Sequence, residues 1–169
     1  MSLRHLKRTI MGMDVHGKNP TSEVGSYFCN NAWNWRPLAI YVCGIDRRLT
    51  DKCEHWQSND GAGLNAKDSA ALATRLQAEI DSGRTANYVR VWASQQEMMP
   101  DEPCWLCEGT GTRKPAPERG AGDLATGTIC NGCDGKGYIR PYATMCPISV
   151  ENVQRFTNFL RDCGGFEIW

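Results

Sequence analysis

The chain has no excess of either charge: its 169 residues hold 19 Lys and Arg against 19 Asp and Glu. A protein that coats nucleic acid usually carries a basic surplus, so a general phosphate-binding surface is not indicated. No apolar run approaches the roughly 20 residues needed to span a bilayer, and no signal-peptide h-region is visible. Histidine is scarce, with His5, His16 and His55 alone, which leaves few imidazoles for acid–base chemistry. An even cysteine count is missing too. There are nine cysteines, and five of them (Cys29, Cys43, Cys53, Cys146 and Cys163) are scattered without paired spacing. That suits a reducing cytoplasm better than a disulfide framework. At this length the chain is read as one domain with room for a core.

What is present is a repeat. Cys104-Trp105-Leu106-Cys107-Glu108-Gly109-Thr110-Gly111 and Cys130-Asn131-Gly132-Cys133-Asp134-Gly135-Lys136-Gly137 both read C-x-x-C-x-G-x-G, with 22 residues between Cys107 and Cys130. Each C-x-x-C supplies two soft sulfurs from one tight turn. Two such turns complete a tetrahedral shell at about 2.3 Å from the metal. The glycines permit positive φ and let amide N–H groups approach the sulfurs. The expectation is one structural Zn2+ per chain on Cys104, Cys107, Cys130 and Cys133. A filled four-sulfur shell leaves no position for a catalytic water.

The repeat resembles the cysteine-rich zinc domain of DnaJ-type chaperones, which carries four repeats and two zinc ions. This chain has two repeats, over about Pro103 to Arg140, so the resemblance implies half of that domain with one zinc. None of the three histidines is followed by proline, so the His-Pro-Asp motif of the J-domain is absent and co-chaperone activity does not carry over. The two-repeat form also resembles the zinc domain of the small bacterial anti-TRAP protein, which acts through protein contacts. DnaJ-like fingers have been linked to single strands as well. Pro103-Cys104-Trp105-Leu106-Cys107 matches one half of the zinc deaminase signature. The other half, a His or Cys followed two residues later by glutamate, is not found at any upstream His or Cys.

Along the chain, Met1 to Ile10 reads as a flexible extension, with Met11-Gly12-Met13 a second possible start. Met13 to His16 alternates like a strand. Tyr27 to Ile45 is rich in aromatics, and Pro37 fits the first turn of a helix running to about Cys43. Trp33 and Trp35 read as core, with an exposed stacking platform as the alternative. The loop Trp56 to Gly63 is polar and glycine-rich and lacks the ending of a phosphate loop. Asn65 caps a helix over Ala66 to Ser82, in which Leu72, Leu76 and Ile80 share a face. Tyr88 to Trp92 fits a strand or a helix continuing toward Met99. Arg113 to Thr128 is a loop rich in proline and glycine, read as the mobile link between the knuckles, and Tyr138-Ile139 can pair back as a strand. Ser149 caps a last helix carrying Val150, Val153, Phe156 and Leu160 on one face, and Phe166 to Trp169 is expected to dock on the core. Each leftover cysteine reads as a small buried apolar side chain.

The opening Met11 to Pro20, the segment around Arg36-Pro37-Leu38 and the closing Phe159 to Ile168 together resemble a set of small uncharacterised proteins from bacteria and their phages. That resemblance brings no activity and no site.

The expected architecture is a small α+β fold with a short sheet and two or three helices. The body spans 11–102 and 141–169, and a zinc module is inserted at 103–140. The expected function is a non-catalytic, zinc-stabilised adaptor acting through protein–protein contacts. Trp105 is its main contact and Leu106 the next, because Trp105 cannot easily turn inward while both neighbouring sulfurs hold metal. One alternative is nucleic-acid binding, with Arg113, Lys114, Lys136 and Arg140 on phosphates and Trp105 stacked on a base. From Asp101 to Pro141, however, six acids stand against five bases. A second alternative is an enzyme using Asp14 with His16, or Asp51, Glu54 and His55. Cys53 and His55 are also weighed as a second metal pair, and the C-x-x-C pairs as a thiol–disulfide couple.

Overall fold

The computed structural model describes residues 12–113 and 128–169. The extension at 1–10, Lys114 and nearly all of the inter-knuckle link lie outside the described residues. Two compact units are present. One holds the described residues up to Ala93 together with Cys146–Trp169, and the other is Ser94–Met145. The structure is mixed α and β, with six helices and a small antiparallel sheet among the described residues.

The first unit begins with strand β1 (Gly12–Gly17). Its alternation buries Met13 and Val15 and turns Asp14 and His16 outward, as a sheet with one covered face requires. A short turn, α1 (Glu23–Ser26), leads into β2 (Tyr27–Asn31), which runs antiparallel to β1 with Val15 opposite Phe28 and Asp14 opposite Cys29. Helix α2 (Ala32–Ile45) starts five residues ahead of Pro37. The reason is Asn31, whose side-chain oxygen accepts the Asn34 N–H at 2.8 Å and caps the helix there. Pro37 therefore lies inside α2, where its missing N–H would cost about 3 kcal/mol in isolation. Burial of Trp35, Leu38, Ala39 and Val42 on the same helix offsets that cost.

Helix α3 (Arg47–Thr50) and strand β3 (Gly63–Asn65) follow. Asn65 then caps α4 (Ala66–Asp81), accepting the Asp68 N–H at 2.9 Å. Residues 88–92 are helical, within α5 (Arg84–Glu97). Tyr88, Val89 and Trp92 fall at i, i+1 and i+4, and all three pack on the core, a match to helical rather than strand periodicity. In the second unit, β4 (Glu102–Pro103) pairs antiparallel with β5 (Tyr138–Ile139), and a 3-10 turn occupies Tyr142–Met145. The chain re-enters the first unit through α6 (Val150–Asp162), capped by Ser149, and ends in β6 (Gly165–Ile168).

The sheet order is β2-β1-β6-β3, antiparallel throughout. The segment expected to dock is thus an interior strand, with Ile168 opposite Val15 and Phe166 opposite Leu64. Trp169 extends the pairing by exchanging both backbone hydrogen bonds with Asp14 at 2.9 and 2.7 Å. Aromatic rings fill the space between sheet and helices. Phe156 lies 5.1 Å from Phe28 and 5.7 Å from Trp35, centroid to centroid. The Trp35 indole N–H donates to the Trp56 carbonyl at 2.7 Å, and that of Trp56 to the Thr50 carbonyl at 3.0 Å. Trp35 is therefore core at 1% exposure, whereas Trp33 is 36% exposed.

Candidate metal centre

Each C-x-x-C folds as a tight turn followed by a left-handed step. Glu108 and Asp134, the residues after the second cysteine of each repeat, have φ of +52° and +51°. The glycines after them continue with positive φ, which non-glycine residues adopt only at a cost. This path brings an amide back over its own sulfur. Gly111 N–H donates to Cys107 Sγ at 3.3 Å, and Gly137 N–H to Cys133 Sγ at 3.2 Å.

The two turns then strap each other. Cys104 N–H donates to the Gly137 carbonyl at 2.7 Å, and Cys130 N–H to the Gly111 carbonyl at 2.9 Å. A Cβ on Gly111 would collide with the Gly135 carbonyl oxygen, and one on Gly137 with that of Gly109. An isolated bridge between Thr112 and Ile129 closes the base. The glycines thus have two roles, at the sulfur of their own repeat and against the backbone of the other.

All four cysteines are buried, and their sulfurs lie within 4.8 Å of one another. Cys104 and Cys130 sulfurs are 3.8 Å apart, and those of Cys107 and Cys133 are 3.7 Å apart. A tetrahedron with bonds of about 2.3 Å has edges of about 3.8 Å. The set therefore fits a tetrahedral metal ion. Burial pushes the thiols of Cys107 and Cys133 up, and the glycine amides pull them down. Because the sulfurs are so close, their protons leave in sequence. Cys107 is held below the usual thiol value, and Cys133, facing the anion already formed, is pushed above it. Metal supplies the positive charge that removes this mutual repulsion.

Around the centre, Trp105 is 75% exposed. Leu106 is half-buried against the cysteines, with its side chain facing Gly132. Lys136 is exposed and Arg113 half-buried. Arg140 is engaged with its own unit, donating to the Met99 and Gln96 carbonyls at 2.6 Å each and to Asp101 at 3.3 Å.

The other sequence candidates resolve differently. Asp14 accepts the Tyr27 hydroxyl, and His16 lies against the Tyr27 ring with centroids 5.2 Å apart. His55 Nδ1 pairs with Asp60 at 3.1 Å, while Glu54 is 3.8 Å from its Nε2. Asp60 was not singled out from the sequence, although Asp60-Gly61 is a turn signature. The Ser58 hydroxyl and the Ala62 amide hold its carboxyl below the usual range. Cys53 is buried and His55 exposed. Among the described residues, no second group of three or more metal-ligating side chains comes together. Of the leftover cysteines, Cys53, Cys146 and Cys163 are buried, Cys43 is half-buried and Cys29 is exposed. Burial pushes the thiols of Cys43 and Cys53 up to about 11. No helix among the described residues is long and apolar enough to cross a membrane. No family model matches the chain, and neither a curated protein nor a solved structure matches it.

Proposed function

We propose that Cys104, Cys107, Cys130 and Cys133 hold one structural zinc ion per chain, and that Ser94–Met145 is a non-catalytic adaptor surface for a protein partner, with Trp105 at its centre. The observation that carries this reading is the indole of Trp105, 75% exposed although it sits between buried cysteines. An exposed tryptophan on a rigid turn is the side chain most enriched at the energetic centres of protein interfaces. Ile129 and Tyr138 add exposed apolar area to the same unit. Four thiolates fill a zinc shell, which favours a scaffold over a catalyst. The resemblance of the two repeats to half of a DnaJ-type zinc domain supports zinc as the metal. The scatter of unpaired cysteines supports a reducing, cytoplasmic setting.

The test is capture of partners on wild type and on Trp105→Ala. The variant should keep one zinc and lose a captured protein by about tenfold or more, the size of an interface hot spot. Identical partner profiles would remove Trp105 as the contact. Binding to a single strand through Arg113, Lys114, Lys136 and Arg140 has less support, because Arg140 is engaged with Met99, Gln96 and Asp101. A gel shift that is present at low salt and falls steeply with added salt would restore that reading.

A further inference from the structure

Strand β2 lies at the edge of the sheet, and among the described residues β1 alone pairs with it. Alternate N–H and C=O groups of an antiparallel strand point away from its partner. An edge therefore presents an unfilled ladder, which proteins usually guard with lysine, proline or a bulge. Tyr27-Phe28-Cys29-Asn30-Asn31 has no lysine and no proline, and its register with β1 is continuous.

Three depressions, of about 250, 350 and 460 Å³, adjoin this strand, and Arg155 of α6 lines all three. Core-side Phe28 and Asn30 contribute to them, and so do outward Tyr27 and Cys29. A side chain that lines depressions on both faces of a strand stands beside its edge. The Arg155 guanidinium sits 5.3 Å from the Phe28 ring centroid, a cation–π contact that fixes its place. None of the ion pairs among the described residues involves Arg155. Of the two acids lining these depressions, Asp14 takes the Tyr27 hydroxyl and Glu151 sits at the α6 end of one of them.

We propose that the free edge of β2 binds an extended peptide carrying an acidic side chain, with the peptide backbone completing the ladder and its carboxylate received by Arg155. Backbone pairing supplies the affinity and the carboxylate supplies the selection, as in other strand-addition complexes. This site is separate from the proposed role of Trp105 and stands or falls without it.

The probes are two blocked pentapeptides, acetyl-Thr-Val-Glu-Val-Thr-amide and its counterpart with central Lys, titrated into the zinc-loaded full chain and followed by amide chemical shifts. The Glu peptide should shift the amides of Tyr27 to Asn31 and the Arg155 side-chain N–H, and bind about tenfold tighter than the Lys peptide. Arg155→Gln should bring the two peptides to equal affinity, with shifts in the free protein confined to the neighbourhood of Phe28, and Arg155→Lys should restore part of the preference. Equal binding of both peptides to wild type, or β2 amides unmoved at millimolar peptide, overturns the proposal. So does concentration-dependent protection of the β2 amides in the free protein, which would assign the edge to a second copy of the chain.

Discussion

The two units solve the same problem with different materials. In the first, Trp35, Phe156, Phe159, Phe166 and a set of leucines and valines are almost completely buried. In the second, the buried cluster consists of four cysteines, with Leu106 and Ile139 packed beside it. A stretch of about fifty residues cannot bury enough apolar surface to be securely stable by that means alone. A metal ion on these four sulfurs, as proposed, would replace the missing core. With the proposed metal in place the second unit would not depend on an apolar core, and the exposed Trp105, Ile129 and Tyr138 would not be failed core residues.

The sharpest way to break the comparison is to remove the metal. Cys107→Ser, or a strong chelator, should empty the site and collapse the dispersed amide signals of about Pro103 to Arg140, while those of the first unit stay. Zinc contributes about 10–16 kcal/mol to folding in small finger peptides, so no partial structure is expected to survive. Metal analysis of wild type should give one zinc per chain, and a value of two or none would sink the assignment. Retained activity of the C-x-x-C pairs in thiol exchange, with the unit still folded, would do the same.

The converse experiment is Phe156→Ala. Its ring touches Phe28, Trp35, Phe159 and Phe166, and its loss should cost the first unit about 3–5 kcal/mol. Urea unfolding reads the loss, and zinc content read alongside should stay at one. If zinc content falls in step with the first unit, the two units do not hold independently.

A smaller effect separates steric from backbone demands. Gly111 and Gly83 both have positive φ, +74° and +76°, but a Cβ meets the opposite repeat at Gly111 and open space at Gly83. Gly83→Ala should cost about 1–2 kcal/mol of protein stability. Gly111→Ala carries the same backbone term plus the collision, and should weaken zinc binding by about tenfold or more in a chelator competition. Equal, small effects would mean that the reciprocal straps do not hold the metal site.

The smallest expected effect is electrostatic and confined to the first unit. The Lys52 ammonium, 2.7 Å away, and then the Asn65 amide hold the Asp68 carboxyl below the usual carboxylate range. A group whose pKa is depressed by folding stabilises above its unfolded value, about 3.9, and that stability is lost as pH falls through the folded value. Thermal melts should show this share disappearing below about pH 4, and Asp68→Asn should flatten that part of the profile. An unchanged profile in the variant would assign the acid sensitivity to other carboxylates.

The features legible in the sequence were those written in local patterns. Asn65 and Ser149 marked helix starts because an N-cap acts within three residues. The cysteine repeat marked its own geometry for the same reason. What stayed hidden was set at long range. The sequence alone places Gly63 in the loop from Trp56 and shows no strand at Gly63–Asn65, because the ladder partners of that strand, Phe166 and its neighbours, lie about a hundred residues away. Pro37 suggested a later helix start, and the Asn31 cap together with the buried face of α2 overrode that local preference. The Asp60 partner of His55 was equally invisible, since nothing in a spacing of five residues fixes a side-chain contact in a loop.

The placement of β6 between β1 and β3 governs the order in which the molecule can mature. Ser94–Met145 is one continuous stretch, whereas the first unit needs residues from both sides of it. On the ribosome, where domains acquire structure as they emerge, the cysteine unit is complete and ready for metal while the sheet still lacks its interior strand. Until that strand arrives, β1 exposes a second open ladder beside the one on β2, and β3 has no partner at all. The nascent chain therefore passes through a stage in which its cysteine unit is complete and its most hydrophobic part is still waiting to close.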